Sequence, residues 1–182
     1  LGLGDQGPSL LVNGRPVTNL DATRIEQMCN FILERRAVDG WPAEWFAIDD
    51  RIQRRDAILD DASRPGDAIR AAIARADAAT SGPQAVLDEI KAANLLGRGG
   101  AGYTTGLKWE SCRRQKIEPR VVVCNADEGE PGTFKDRVLL TRRAELVVEG
   151  MTVAALGIGA TQGFIDLRGE YRYLLDSLRA VL

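Results

Sequence analysis

The run Val121-Val122-Val123-Cys124 narrows most sharply what this chain can become. Four consecutive apolar residues, three of them β-branched, read as a strand, and an unbroken apolar run reads as a strand covered on both faces. A long polar loop follows at 125–137, then a strongly apolar helical stretch near 143–156 whose end is marked by Gly157 and Gly159. Phe164-Ile165-Asp166-Leu167 reads as the next strand and residues 171–182 as the next helix. Strand–helix–strand–helix predicts an α/β fold, with parallel pairing through a right-handed crossover.

The first third of the chain has a different rhythm. Leu10-Leu11-Val12, Asn13-Gly14 and Pro16-Val17-Thr18 predict a hairpin, because Asn-Gly supplies the positive φ of a type I′ turn. Asp21 stands as an N-cap, and Ile25, Met28, Cys29, Ile32 and Leu33 give one face of a helix over 22–36. Hairpin plus helix is too small for a domain and reads as the closing part of one. Charge is dense from Asp49 to Asp61, which reads as a solvated face, and Trp41, Trp45 and Phe46 cluster as an anchor for a linker. Two short helices are expected at 66–78 and 83–95, the second opened by Pro83. The chain opens on Leu1 without an initiator methionine and ends at Leu182 inside a helical pattern, so it reads as a fragment of a larger polypeptide.

Composition excludes several chemistries. There is no histidine, which removes the commonest general base, the Ser-His and Cys-His nucleophile pairs and most zinc sites. Chemistry must then come from a bound cofactor, a carboxylate or a lysine. Cys29, Cys112 and Cys124 are far apart, which fits a reducing compartment and argues against a metal cluster held by this segment. A net charge of −2 gives no reason to expect nucleic acid. No apolar run reaches bilayer length, so direct membrane insertion is not expected and a cytoplasmic protein is the default.

Two segments carry chemistry. Gly97-Arg98-Gly99-Gly100-Ala101-Gly102 satisfies G-x-G-x-x-G, but it follows a helical run rather than a strand, so it is not a Rossmann fingerprint. Nor is it a Walker A loop, since Gly106 is followed by Leu107-Lys108. Four glycines in six residues still let backbone N–H groups approach an anion, with Arg98 and Lys108 adding positive charge; the plain alternative is a flexible surface loop. The second segment, Asn125 to Arg137, begins at the carboxyl end of the strand, where open α/β sheets bind ligands. Asn125 offers donor and acceptor, and Asp127, Glu128 and Glu130 offer acceptors, a set that suits ribityl hydroxyls, a flavin ring N–H and a carboxamide. The same three acids could instead form a magnesium or calcium site, against which Pro131-Gly132, Lys135 and Arg137 argue.

Together, residues 97–109 and 124–137 closely resemble the NADH-oxidising flavoprotein family. That family includes the FMN subunit of respiratory complex I, the diaphorase subunit of soluble NAD-reducing hydrogenases and the beta subunit of NAD-dependent formate dehydrogenases. Weaker similarity continues through Gly150-Met151 and Leu167-Arg168-Gly169-Glu170-Tyr171. The hydrogenase diaphorase branch looks most similar, since its FMN domain is fused behind a thioredoxin-like ferredoxin domain whose last elements Gly2 to Pro8 and the hairpin resemble.

The resemblance implies a Rossmann-like N-terminal part of an FMN-binding domain at 81–182. Ahead of it would come a hairpin–helix remnant of a thioredoxin-like ferredoxin domain at 1–36 and a linker with short helices at 37–80. It implies that Gly97, Arg98, Gly99, Gly100, Ala101, Gly102 and Lys108 hold the FMN phosphate and flavin edge. Asn125, Asp127 and Glu128 would bind the ribityl chain and ring, Tyr103 would stack on the NAD adenine, and Glu130 would bind the nicotinamide carboxamide. Tyr103-Thr104-Thr105 stands where Phe-Pro-Thr is usual, which bears on the rigidity of the loop. No side chain is required as acid or base, and no metal is held by this segment; iron–sulfur clusters belong to the full-length protein, and Gly4 stands where some relatives carry a cysteine. The implied partners are NAD(H), an iron–sulfur subunit and a hydrogenase or formate dehydrogenase catalytic subunit. Two readings of other classes compete: a non-catalytic module that binds a nucleotide phosphate or docks a partner subunit through residues 1–80, and a cation-dependent hydrolase using Asp127 and Glu128.

Overall fold

Asn13 and Gly14 take φ values of 50° and 78°, which lets the chain reverse in two residues between strands β1 (Leu10–Val12) and β2 (Arg15–Val17). The strands pair antiparallel, with Leu10 opposite Val17, Leu11 opposite Pro16 and Val12 opposite Arg15. The computed structural model describes residues 2–53, 55 and 57–182. Its helices are α1 (Ala22–Leu33), α2 (Asp67–Ala78), α3 (Gln84–Ala92), α4 (Thr105–Arg113), α5 (Lys135–Arg142), α6 (Ala144–Ile158) and α7 (Leu175–Val181). Strands β3 (Val121–Ala126) and β4 (Gln162–Leu167) complete the set. The chain divides into two compact units. One holds Leu1–Asp60, Asn125–Arg143 and Leu167–Leu182, and the other Asp61–Cys124 and Ala144–Asp166.

In the first unit Asp21 caps α1, its carboxylate accepting from the Arg24 N–H at 2.7 Å. Val17, Leu20, Met28, Trp41 and Trp45 form its core. The aromatic cluster anchors the chain after α1 back onto the hairpin, with Phe31 of α1 5.6 Å from Trp41 and 5.7 Å from Trp45 between ring centroids. The helix stops at Leu33 rather than at 36, and its predicted apolar face divides. Met28 is buried, whereas Ile32 and Leu33 are 60% and 81% exposed. The charge-dense stretch is not all solvated: Asp50 is buried and pairs with Arg142 Nε at 2.6 Å, while Arg54 and Asp56 lie outside the described residues.

The second unit is mainly helical. Ala72 and Ala76 of α2, Val86 of α3, and Val153 and Leu156 of α6 pack together. Gly157 lies inside α6 and does not end it. A methyl group there would come within 3.3 Å of the end of the Leu87 side chain, which would have to give by a few tenths of an ångström, and would sit in ordinary contact with Trp109 at 3.7 Å. Gly159, at φ 75°, terminates the helix, with the Ala160 N–H reaching back to the Ala155 carbonyl at 2.9 Å.

β3 and β4 pair with one another. The Thr161 N–H bonds the Arg120 carbonyl at 3.3 Å and the Arg168 N–H bonds the Ala126 carbonyl at 3.2 Å, so the two strands advance together and run parallel. The expected double cover of β3 is corrected. Val121 and Val123 are 39% and 57% exposed while Val122, Cys124 and Ala126 turn inward, so the strand is covered on one face among the described residues. The polar loop is also shorter than predicted, because Lys135 already opens α5, and the last helix is preceded by a 3-10 stretch over Gly169–Leu174.

Trp45→Ala removes a buried ring from the aromatic core and is expected to cost about 3–5 kcal/mol, whereas Ile32→Ala, on an exposed face, is expected to stay within about 0.5 kcal/mol. Chemical denaturation midpoints of the two variants check this, and equal losses would show that the core is elsewhere.

Candidate functional site

The glycine loop is narrow-necked. The Gly97 N–H bonds the Tyr103 carbonyl and the Thr105 N–H bonds the Leu95 carbonyl, both at 2.8 Å, closing an antiparallel bridge between Leu96 and Thr104. Residues 98–102 project beyond this neck. Gly100 and Gly102 take φ values of 107° and 63°, which side chains rarely adopt, and a Cβ on Gly99, Gly100 or Gly102 would meet nothing within 4 Å. The glycines therefore serve backbone shape and open space. Gly106 does something else: a methyl there would fall 2.9 Å from the Lys91 backbone nitrogen, so this glycine lets α4 seat against α3. Across that contact Lys91 and Arg114 pair with Glu110 at 2.9 and 3.2 Å. The Lys91 hydrogen bond, more than the nearby cationic charges, holds the Glu110 carboxyl below its usual range.

A cavity of about 440 Å³ opens beside the loop, within the size range of small-molecule sites. Gly97, Gly99, Ala101, Gly102 and Tyr103 line one side, and Lys108, Trp109 and Cys112 of α4 another. The exposed strand residues Val121 and Val123 line it too. Arg98 and Gly100 sit exposed in the loop. Sequence reasoning named Lys108 but missed Trp109 and Cys112. The available signal was helical spacing, since Lys108 and Cys112 are four apart on α4 and face the same way.

The acidic segment belongs to the first unit. Asn125 Oδ1 accepts from the Asp127 N–H at 3.1 Å, and Asn125, Asp127 and Glu130 are all exposed. Glu130-Pro131-Gly132-Thr133 forms a type II turn, with Gly132 at φ 87° and the Glu130 carbonyl accepting from Thr133 N–H at 3.2 Å and Oγ1 at 2.7 Å. Glu128 differs from the other acids, being only 2% exposed. Its carboxylate accepts from the N–H groups of Asp136 (3.0 Å) and Arg137 (3.3 Å) at the start of α5, and from the Tyr171 hydroxyl (3.1 Å). Its backbone carbonyl accepts from the Arg168 guanidinium. Burial, and then the Glu128 charge, push the Tyr171 phenol well above its usual range, so it remains a donor.

A second cavity, of about 450 Å³, lies against this turn and is lined by Gly129 to Phe134, Arg168, Gly2, Gly4 and Asp5. Among the described residues, no group of three or more acidic or cysteine side chains is placed to hold a metal ion. Arg168 and Tyr171 fell within the weaker similarity in the sequence, but their role in fixing Glu128 carried no local signal.

Residues 90–182 match the Nuo51 FMN-binding domain family. The alpha subunit of the NAD-reducing hydrogenase HoxS of Cupriavidus necator is 56% identical over 100 residues, which are 55% of this chain and 17% of that protein. One subunit of the NADH-quinone oxidoreductase of Escherichia coli is 45% identical over 101 residues, 55% of this chain and 23% of that protein. The crystal structure of an air-oxidized NAD+-reducing NiFe hydrogenase matches with a TM-score of 0.90 at 44% identity, covering 99% of this chain and 31% of that one. The chain thus spans under a third of each of these relatives.

Tyr171→Phe removes a buried donor to a charged acceptor and is expected to cost about 1.5–3 kcal/mol, read from denaturation midpoints; a loss near zero would mean that Glu128 does not need the phenol. Because the Glu110 carboxyl is held low in the folded state, the stability it contributes is present above the ordinary carboxylate range and lost as pH falls through the lowered value. Lys91→Met is expected to flatten that acid-side slope, as followed by thermal melts at stepped pH.

Proposed function

The chain belongs to the Nuo51 FMN-binding domain family, and on that premise we propose that it is part of a diaphorase, an NADH dehydrogenase module passing electrons between NAD(H), FMN and iron–sulfur clusters in a soluble NAD-reducing hydrogenase. The observation that carries this reading is the glycine-loop cavity with its bare valine wall. A flavin mononucleotide asks for apolar surface against a flat ring, backbone donors at a phosphate and positive charge. Val121 and Val123 offer the first, the open backbone of 97–102 the second, and Lys108 with the start of α4 the third. The residues present fit the group. When bound, FMN supplies hydride exchange with NAD(H) and single-electron exchange with a cluster.

The chain's own residues bind and orient. Gly97, Arg98, Gly99, Gly100, Ala101, Gly102 and Lys108 would hold the phosphate and flavin edge. The exposed ring of Tyr103 offers a stacking face for the NAD adenine. Asn125 and Asp127 keep exposed polar groups for the ribityl chain and ring, and Glu130, the exposed first residue of its turn, suits a carboxamide N–H. Glu128, with its carboxylate already bonded, serves that set by fixing the shape of the loop.

The hydrogenase reading is supported by the similarity to two NAD-reducing hydrogenase chains; membership in a complex I FMN subunit or a formate dehydrogenase beta subunit is the alternative. We assign residues 1–36 to the end of a thioredoxin-like ferredoxin domain, 37–80 to a linker and 81–182 to the Rossmann-like start of the FMN domain. Clusters would be held elsewhere in the whole polypeptide, and partners would be an iron–sulfur subunit and a hydrogenase catalytic subunit. No helix among the described residues is long and apolar enough to cross a membrane, and a cytoplasmic location accords with that reading.

The absorption spectrum of the full-length polypeptide tests this: flavin bands bleached by NADH are expected, and a featureless spectrum would leave the non-catalytic module standing. Lys108→Ala is expected to weaken FMN retention about 10- to 100-fold, the worth of a charge-assisted hydrogen bond, measured by flavin fluorescence released on dilution.

A further inference from the structure

Arg137 is fully buried, and it belongs to none of the groups assigned to the cofactor or to NAD(H). Its backbone N–H bonds the Glu128 carboxylate at 3.3 Å, tying it to the base of the acidic loop. Its guanidinium lies 5.3 Å from the centroid of Phe134, the last residue before α5. The same guanidinium donates to the Gly2 carbonyl and to Asp5 Oδ2, each at 3.4 Å, on a segment more than 130 positions earlier in the sequence. This one side chain therefore touches both the N-terminal segment and the end of the 129–134 turn. Elsewhere the two are separated by the cavity of about 450 Å³, lined by Gly2, Gly4 and Asp5 on one side and by the turn on the other.

The pairing is incomplete. Among the described residues, Asp5 Oδ1 and Arg137 Nε are both buried and have no hydrogen-bond partner, so one carboxylate oxygen and one guanidinium N–H have room for a second bond. A buried arginine cannot give up its charge, and Asp5 is the acidic side chain its guanidinium pairs with. The position of Asp5 must therefore influence where the guanidinium sits, and through Phe134 and Glu128 the position of the turn that carries Glu130.

We propose that Asp5 is a positioning residue for pyridine-nucleotide oxidation, acting through Arg137 to set the 129–134 turn, so that the N-terminal segment is mechanically joined to the nucleotide site. This rests on the diaphorase reading for its consequence, but the joint itself is a property of the fold. Asp5 touches no proposed ligand and supplies neither proton nor electron.

The test uses the full-length protein carrying Asp5→Asn, which keeps the shape and removes the charge, with Asp5→Glu as the charge-restoring variant and Trp45→Phe as a control for lost stability alone. Hydrogen exchange of residues 129–134 is read first, because it needs no flavin. Asp5→Asn is expected to raise exchange there at least several-fold, Asp5→Glu to recover it in part, and Trp45→Phe to leave it unchanged. With flavin bound, Asp5→Asn is expected to raise the KM for NADH several-fold more than it lowers kcat. Unchanged exchange in Asp5→Asn, or an equal rise in the Trp45→Phe control, overturns the joint. If exchange responds but the protein carries no flavin and ignores NADH, the joint stands and the diaphorase reading fails.

Discussion

A carboxylate taken out of water must be surrounded by donors or give up its charge, and the acidic loop is organised around one such group. Glu128 meets the demand with two N–H groups from the first turn of α5, where the helix dipole also favours an anion, and with the phenol of Tyr171. These donors come from positions 8, 9 and 43 residues further along the chain. Once they are met, the chain between Glu128 and α5 has fixed ends and little choice of path. The Pro131-Gly132 turn then closes the span and leaves Glu130 outward and unburied. One buried acid thus sets where the neighbouring exposed acids stand, which explains why three carboxylates in four residues differ so much in exposure.

The second unit is governed by steric closeness instead. Gly106 marks a place where α4 approaches α3 too closely for a methyl group, and at Gly157 α6 lies close enough to Leu87 that a methyl would make that side chain shift by a few tenths of an ångström. Neither takes a positive φ, so their use is room between elements and not backbone freedom. The Lys91–Glu110 pair spans the first of these contacts. The helix that follows the glycine loop is thereby seated directly on the helix that precedes it.

Much of this was legible from residues alone where the signal was local. Asn13-Gly14 specified the hairpin turn, Asp21 the start of α1, and Gly159 the end of α6, because each acts through backbone within a few positions. Readings that depended on distant cover fared differently. An apolar run such as Val121 to Cys124 fits either a two-sided or a one-sided strand, and its exposed side here borders a cavity. Ile32 and Leu33 have the spacing of a buried stripe, yet the aromatic core draws Met28 and Phe31 inward and leaves them outside. Glu128 looked like its acidic neighbours because nothing nearby in sequence announces Tyr171 or Arg168.

The glycine loop shows why pattern and mechanism must be kept apart. Gly97 to Gly102 satisfies the spacing of a dinucleotide fingerprint, but α3 precedes it, so no strand delivers the chain to a crevice. The order is helix, bridge, loop, helix: the Leu96–Thr104 bridge pinches the ends together and Thr105 starts α4 directly. The same residue types therefore present an open glycine backbone by another route, with the neck doing what a strand end does elsewhere. In a chain with no histidine this division is consistent across the described residues. On the proposed diaphorase reading, backbone and cations would grip and carboxylates would orient, with the reaction's chemistry supplied by a bound group.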